Sequence, residues 1–470
     1  MSLQFIIGSS GIGKTHYACE QIIRESMENP QHLYYIIVPE QFTMQTQKNV
    51  VEMHPGKGIL NIDVLSFQRL AYRIFEETGG AREVLLDDTG KSMVLQKLVQ
   101  QHRKNLPYLG SQMNKPGYLD EVKSLISEFM QYDIREEELQ DMLGKTGEDS
   151  LLHMKMQDVG VLYQAFLQYL EGHYMTGEGV MDALKKAIPF SDKLKKSVLL
   201  LDGFTGFTPV QMNVIRELLN VCDKVLVTVT MDAGENPLQL GKPHQLFYMS
   251  RKMIHTLSGL TSNLDDPVLL KDERKGRFGN STSLDFLEKH LFRYRRSAYE
   301  KKQEEICIFA AESPVKELEE TARRIRRLVR EKNLKYGEIA VITGNLEAYK
   351  SIASQVFEES RIPYFLDEKH TILMNPFIEY IRAALEMVTK GFSYESVFRY
   401  LRCDMSGLGR EQVDMLENYV LALGIHGYKK WSEKWVRVYR TMDPEDIQVL
   451  NEYREIFVRE AEILAQGFSS

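Results

Sequence analysis

Eight residues near the start of the chain, Gly8-Ser9-Ser10-Gly11-Ile12-Gly13-Lys14-Thr15, have the spacing GxxxxGK[ST]. Glycines so placed let successive backbone N–H groups wrap a phosphate chain, and the lysine and threonine add an ammonium group and a magnesium-binding hydroxyl. The motif follows the apolar run LQFIIG and opens a helical pattern, so a helix N-terminus adds its positive partial charge. Such a loop binds ATP with Mg²⁺ without saying what is done with it. Hydrolysis also asks for a second strand ending in an Asp on the metal side, followed by a Glu that activates water. The segment SVLLLDGFTGFTP offers Asp202 after an apolar run, but Gly203 stands where the Glu belongs, and the next carboxylate is Glu217, well into the following helix. Thr15 and Asp202 are the expected Mg²⁺ side, and no catalytic residue is assigned. ATP binding without effective turnover is the expectation.

These groups need a sheet to position them. LQFIIG, a helix from about Lys14 to Met27, LYYIIVP, a second helix and ILNIDVLSF make the βαβ rhythm of a parallel sheet. Long helical periodicity with polar faces then takes over, as in GYLDEVKSLISEFMQYDI and QDVGVLYQAFLQYLEGHY, until KSVLLLDGF, PVQMNVIRELLNV and DKVLVTVT resume the α/β pattern. The predicted fold class is α/β, with P-loop NTPase (RecA-like) parallel-sheet domains and helical insertions. Residues 1–80 plus 190–275 are expected to form the first such domain and 81–189 a helical insertion. A second α/β segment is expected over 284–390, with strands at EICIFAAES and EIAVITG, and a further helical insertion over 391–470. The polar stretch 271–283, KDERKGRFGNSTS, reads as a linker or exposed loop. The chain stops at LAQGFSS without a closing strand and reads as the N-terminal portion of something longer.

Of the 470 residues, 43% are hydrophobic and 27% charged, which excludes a disordered or fibrous chain. No run approaches the ~20 apolar residues of a membrane span, and no basic region precedes an apolar leader, so a cytoplasmic protein without a membrane partner is expected. Cys19, Cys222, Cys307 and Cys403 form no CxxC pair and the histidines no HExxH, which argues against a zinc ribbon or iron–sulfur cluster here. The net charge of −7 counts only weakly against nucleic acid, because a groove needs local positive charge alone.

IIGSSGIGKT, YYIIVPEQFTMQTQ, VLSFQRLAYRIF, LLLDGFTGFTP and EIAVITGNLEAYKSIASQVFEESRIPYFLDEKHTILMNPFIEYIRAAL occur in the order seen in UvrD-like superfamily-one helicases. In combination the chain resembles the AddB/RexB family, the B subunits of bacterial AddAB-type helicase–nucleases, with PEQFT and SFQRLAYR as the distinctive parts. The resemblance implies a non-motor subunit that pairs with an A subunit in double-strand break repair, holds the 3′-ended single strand of unwound double-stranded DNA and reads a Chi sequence. It implies a C-terminal nuclease with an iron–sulfur cluster in the full-length family, and neither falls in these residues. No GDPxQ-type segment and no NYRS-type segment with its phosphate-sensing Arg are found, which again departs from an active motor.

Single-stranded DNA is gripped by aromatic faces, cations for phosphates and small polar groups for base edges. Following the resemblance, the DNA-binding candidates are Gln41 and Thr43 beside Phe42, then Phe67, Arg69 and Tyr72, then Phe207 beside Thr208. Phe67, Leu70 and Ile74 also share helix spacing, so a buried face is the alternative for Phe67. ARRIRRLVREK reads as a solvated outer face because Glu317, Glu319 and Glu320 balance its arginines. LFRYRRSAYEKK leaves surface and nucleic-acid or partner contact equally open, and DEKH at 367–370 reads as structural rather than a nuclease element. Two other functions stay open: an active superfamily-one helicase with a relocated base such as Glu217, and a small-molecule phosphotransferase suggested by the phosphate loop alone.

Overall fold

The computed structural model describes residues 2–468, except 81, 82, 114, 116, 148, 149, 233, 272–275, 295, 296, 368–371, 440 and 441. The chain divides into two units, Met1–Ile308 and Phe309–Ser470. The main sheet of the first unit is built from β1 (Ser2–Gly8), β2 (Leu33–Ile37), β3 (Ile62–Leu65), β6 (Ser197–Leu201), β7 (Lys224–Thr230) and the short edge β8 (Val268–Leu269). All of these strands run parallel, in the order β3-β2-β6-β7-β1-β8. Helices α1 (Lys14–Glu28), α2 (Thr43–Met53) and α3 (Phe67–Thr78) follow β1, β2 and β3, and α10 (Pro209–Val221) joins β6 to β7. The central strands are apolar because both sheet faces are covered, as an all-parallel sheet requires. One face packs Leu3, Phe5, Tyr35, Ile37, Leu199, Leu201 and Val227 against Ile74, Leu184 and Ile215. The other packs Ile6, Tyr34, Ile36, Leu200 and Leu226 against Ala18, Ile22 and Val50.

Between β3 and β6 lies a mostly helical segment with its own core around Leu95, Leu98, Ile126, Leu162 and Phe166. It comprises the short β4 (Val84–Leu85) and β5 (Tyr174–Met175), which pair in parallel, with α4 (Asp88–His102), α5 (Leu109–Gln112), α6 (Tyr118–Gln131), α7 (Glu136–Gly144), α8 (Leu151–Leu170) and α9 (Gly177–Ala187). Lys91 on α4 is buried, and its Nζ donates to both Glu178 carboxylate oxygens at 3.1 and 3.0 Å and to Ser127 Oγ at 3.2 Å. Burial pushes the Glu178 pKa up, but its own backbone N–H and Lys91 more than offset that, and the carboxyl sits below its usual value. A carboxylate with a depressed folded pKa stabilises fully above the ordinary glutamate range and loses that contribution as pH falls through the folded value. Glu178→Gln is expected to lower the melting temperature at neutral pH and to converge on the parent in acid. Thermal unfolding across pH checks this, and a gap that persists in acid contradicts it.

After β7 come α11 (Tyr248–Ser258), β8 and α12 (Thr282–His290). The second unit holds α13 (Pro314–Glu331), α14 (Leu346–Glu359), α15 (Pro376–Thr389), α16 (Tyr394–Leu401), α17 (Arg410–Leu423), α18 (Tyr428–Ser432) and α19 (Pro444–Phe468). Its cores form around Leu318, Ile325 and Phe357, and around Tyr400, Tyr419, Trp431 and Phe457. The strands expected at EICIFAAES (305–313) and EIAVITG (338–344) are corrected: neither segment joins a ladder among the described residues. A strand is a pairing, and apolar composition alone does not make one; Ile308 and Ile342 stay 95% and 91% exposed.

Candidate functional site

The phosphate loop leaves the C-terminal end of β1 and turns through Gly11 (φ 77°) and Gly13 (φ 98°), both in the left-handed region that side chains resist. Gly13 caps α1, so the helix N-terminus opens into the loop. Ile12 is buried in the core beneath, which anchors the loop, while Ser10 is exposed. Gly8 and Ser9 lead in from the strand, and Lys14 Nζ curls back to donate to the Ser9 carbonyl at 2.8 Å. Burial lowers the Lys14 pKa, and the charges of Asp202 and Glu288 act in the opposite sense.

Asp202 lies just past the end of β6, two strands from β1, and is 6% exposed. Thr15 Oγ1 is 3.0 Å from each of its carboxylate oxygens, and Thr228 Oγ1 donates to Oδ1 at 2.6 Å. Thr228 is opposite Ile6 on β7, the strand between, and so braces Asp202 from the sheet itself. A hydroxyl and a carboxylate converging at the mouth of a phosphate loop are hard oxygen donors of the kind Mg²⁺ takes. Cys19, buried one turn along α1, has its thiol pushed up to about 12 by burial and then by Asp202, so it carries no thiolate chemistry.

The loop borders a cavity of about 540 Å³ whose other walls include Thr46, Asn49 and Glu52 on α2 and Arg277 before α12. Glu217, the carboxylate that the sequence offered as a relocated base, does not line it and lies half-buried on α10. Two carboxylates that sequence reasoning missed are nearer. Glu52 is 63% exposed with Lys48 Nζ at 3.8 Å, and Glu288 on α12 is close enough for its charge to act on Lys14. Neither follows a strand end, where a catalytic Glu is ordinarily found. Thr228 carried a readable signal, a hydroxyl in an otherwise apolar alternation within KVLVTVT.

The DNA-binding candidates gather on the C-terminal edges of β2, β3 and β6, three neighbouring strands. Ser66 caps α3 by accepting from Arg69 N, and Thr208 caps α10 in a reciprocal pair with Gln211. Phe67 is 6% exposed and packs on Phe204 and Phe207 at 5.6 and 6.2 Å between ring centres. Thr43 is buried as well and donates to the Glu40 carbonyl at 2.9 Å. As folded, neither presents a free face; the buried face weighed for Phe67 is the one it occupies. Gln41, Phe42, Arg69 and Tyr72 are exposed, Phe207 is half-buried, and Arg69 Nε lies 3.4 Å from Glu40 Oε1, joining two of the loops. Below them a cavity of about 410 Å³ adds Gln68, Gln131, Glu178 and Gln211 to the wall.

The other basic stretches separate. On α13, Arg323 and Arg324 pair with Glu320, and Arg324 lies over the Phe309 ring. Arg293 of LFRYRR holds Asp232 through two nitrogens and lies over Phe247, while Phe292 and Tyr294 are exposed and Arg295 and Arg296 fall outside the described residues. Of DEKH, residues 368–370 also fall outside them. No group of three or more metal-binding side chains occurs among the described residues, and no helix there is long and apolar enough to cross a membrane.

Comparison with known families matches residues 5–288 to the model described as ADDB, N-terminal, and residues 279–452 to the UvrD-like helicase C-terminal domain. The B subunit of the ATP-dependent helicase/deoxyribonuclease of Lachnoclostridium phytofermentans is 41% identical over all of this chain and 42% of its own length. Proteins of the same name from Clostridium novyi and Caldanaerobacter subterraneus are each 34% identical over 93% and 97% of this chain, and 38% and 40% of their own. The chain spans about two fifths of the length of these relatives.

Proposed function

The chain belongs to the AddB N-terminal family, and on that premise we propose that it is the nucleotide- and strand-binding part of the B subunit of a two-subunit helicase–nuclease. It binds ATP with Mg²⁺ and turns it over slowly or not at all. It holds the 3′-ended single strand and reads a Chi-type sequence during double-strand break repair in the cytoplasm, beside an A subunit that drives translocation. Residues 1–80 with 190–275 act as one nucleotide-binding domain, with 81–189 inserted in it, and 284–390 and 391–470 correspond to the start of a second domain and its insertion.

The observation that carries this reading is the Asp202 site: a strand-end carboxylate bonded to the phosphate-loop threonine and followed by Gly203. Thr15 and Asp202 would hold Mg²⁺, which supplies charge neutralisation to the triphosphate when bound. Lys14 adds a positive charge, and the loop amides orient the phosphate chain. The exposed groups around Arg69 support the strand contact, with Phe67 as the packed base under them.

One observation favours a second reading, an active motor that uses Glu52 as its base: Glu52 lines the cavity beside Lys14 and Thr15. Steady-state ATP hydrolysis by the purified chain, with and without a single-stranded oligonucleotide, separates the two. The proposal expects saturable ATP binding without appreciable turnover. DNA-stimulated turnover that Glu52→Gln abolishes while ATP binding persists replaces it with the motor.

A further inference from the structure

The stretch 271–283 reads in sequence as a linker, yet part of it is fastened to the phosphate loop. Arg277 N donates to the Gly11 carbonyl at 2.8 Å. Gly276 sits so close that a Cβ there would lie 3.0 Å from the Gly11 oxygen and 3.3 Å from Ile12 Cα, both backbone atoms with little room to yield. A Cβ on Gly11 would meet the Phe278 ring at 2.9 Å and Arg277 Cβ at 3.2 Å. The two glycines thus let two stretches of backbone touch, and the Phe278 ring closes over the contact. Behind the strap, Ser281 caps α12, and Ser281 and Ser283 both donate to Glu305.

We propose that Arg277 is a second cation for the terminal phosphate of the bound nucleotide, carried to the cavity by a strap, residues 276–278, seated on the phosphate loop. This rests on the reading of that loop as an ATP site. Arg277 lines the same cavity as Lys14 and Thr15. Three arginines of this unit are held by carboxylates: Arg69 by Glu40, Arg293 by Asp232 and Arg251 by Glu235. Arg277 has no such carboxylate partner among the described residues, and it is exposed. A planar guanidinium donates two parallel hydrogen bonds to a phosphate, where the lysine offers a point charge.

The test compares Mg²⁺–ATP and Mg²⁺–ADP binding by calorimetry for the parent chain, Arg277→Ala, Gly276→Val and Lys14→Ala, with melting temperatures as a control for folding. A hydrogen bond to a charged group contributes enough that Arg277→Ala should weaken ATP binding by about 10- to 100-fold, with ADP affected far less. Gly276→Val should reproduce that selective loss although the arginine is intact, because the strap no longer seats. Lys14→Ala should weaken both nucleotides. Parent-like ATP binding by Arg277→Ala, or equal losses of ATP and ADP, overturns the proposal while Lys14→Ala sensitivity leaves the ATP site standing. A parent chain that binds neither nucleotide removes the ATP site and this proposal together.

Discussion

Lys14→Ala is expected to reduce ATP affinity by about 100-fold without altering the fold, a loss of about 3 kcal/mol for a charge-assisted contact to phosphate. The lysine stands over the phosphate loop with its ammonium resting on the Ser9 carbonyl, and it belongs to none of the apolar cores. That carbonyl is a weak partner for a full charge, and a triphosphate is a better one. Burial has already lowered the Lys14 pKa, so its proton, and with it the grip on phosphate, should be lost at a lower pH than for an ordinary exposed lysine. Fluorescent-nucleotide titration with circular dichroism as control reads both effects. Undiminished ATP binding by Lys14→Ala shows that nucleotide, if bound, is held elsewhere.

The second large effect separates two residues only two apart. Phe67→Ala is expected to lower stability by about 3–5 kcal/mol, the cost of emptying a buried aromatic site, because Phe67 is the hub of a three-ring cluster with Phe204 and Phe207. Arg69→Ala, at an exposed position with one long contact to Glu40, is expected to leave the melting temperature nearly unchanged. It should weaken binding of a single-stranded oligonucleotide about 10-fold, the low end for a contact to a charged group. Chemical denaturation and oligonucleotide titration of both variants check this. Oligonucleotide loss in Phe67→Ala with no loss of stability means the ring is exposed to the strand rather than packed, and unchanged binding by Arg69→Ala removes that loop from the groove.

The sheet was legible in the sequence because its strands are buried on both faces and read as uninterrupted apolar runs, as in LQFIIG, YYIIV and SVLLL. The strand, loop and helix around Lys14 follow from one apolar run, three glycines and one amphipathic pattern. Periodicity also marked α3 correctly, with Phe67, Leu70 and Ile74 inward, although the same pattern cannot say whether an inward aromatic belongs to a core or to a groove. Local pattern says nothing of contacts between distant segments, which is why Glu288, the bond from Thr228 to Asp202 and the seat of Arg277 on Gly11 were invisible. It misled at ICIFAA and IAVIT, where β-rich composition was read as strand: pairing depends on neighbours, and composition does not supply them.

The most direct measurement is the rate of ATP hydrolysis by the purified chain at saturating ATP and Mg²⁺ in the presence of a single-stranded oligonucleotide. Tight ATP binding with turnover far below about 1 s⁻¹, the low end for working enzymes, is the result expected of a site that ends in Asp202-Gly203. Turnover at about that rate or above, abolished by Lys14→Ala, contradicts the account and makes the chain a motor.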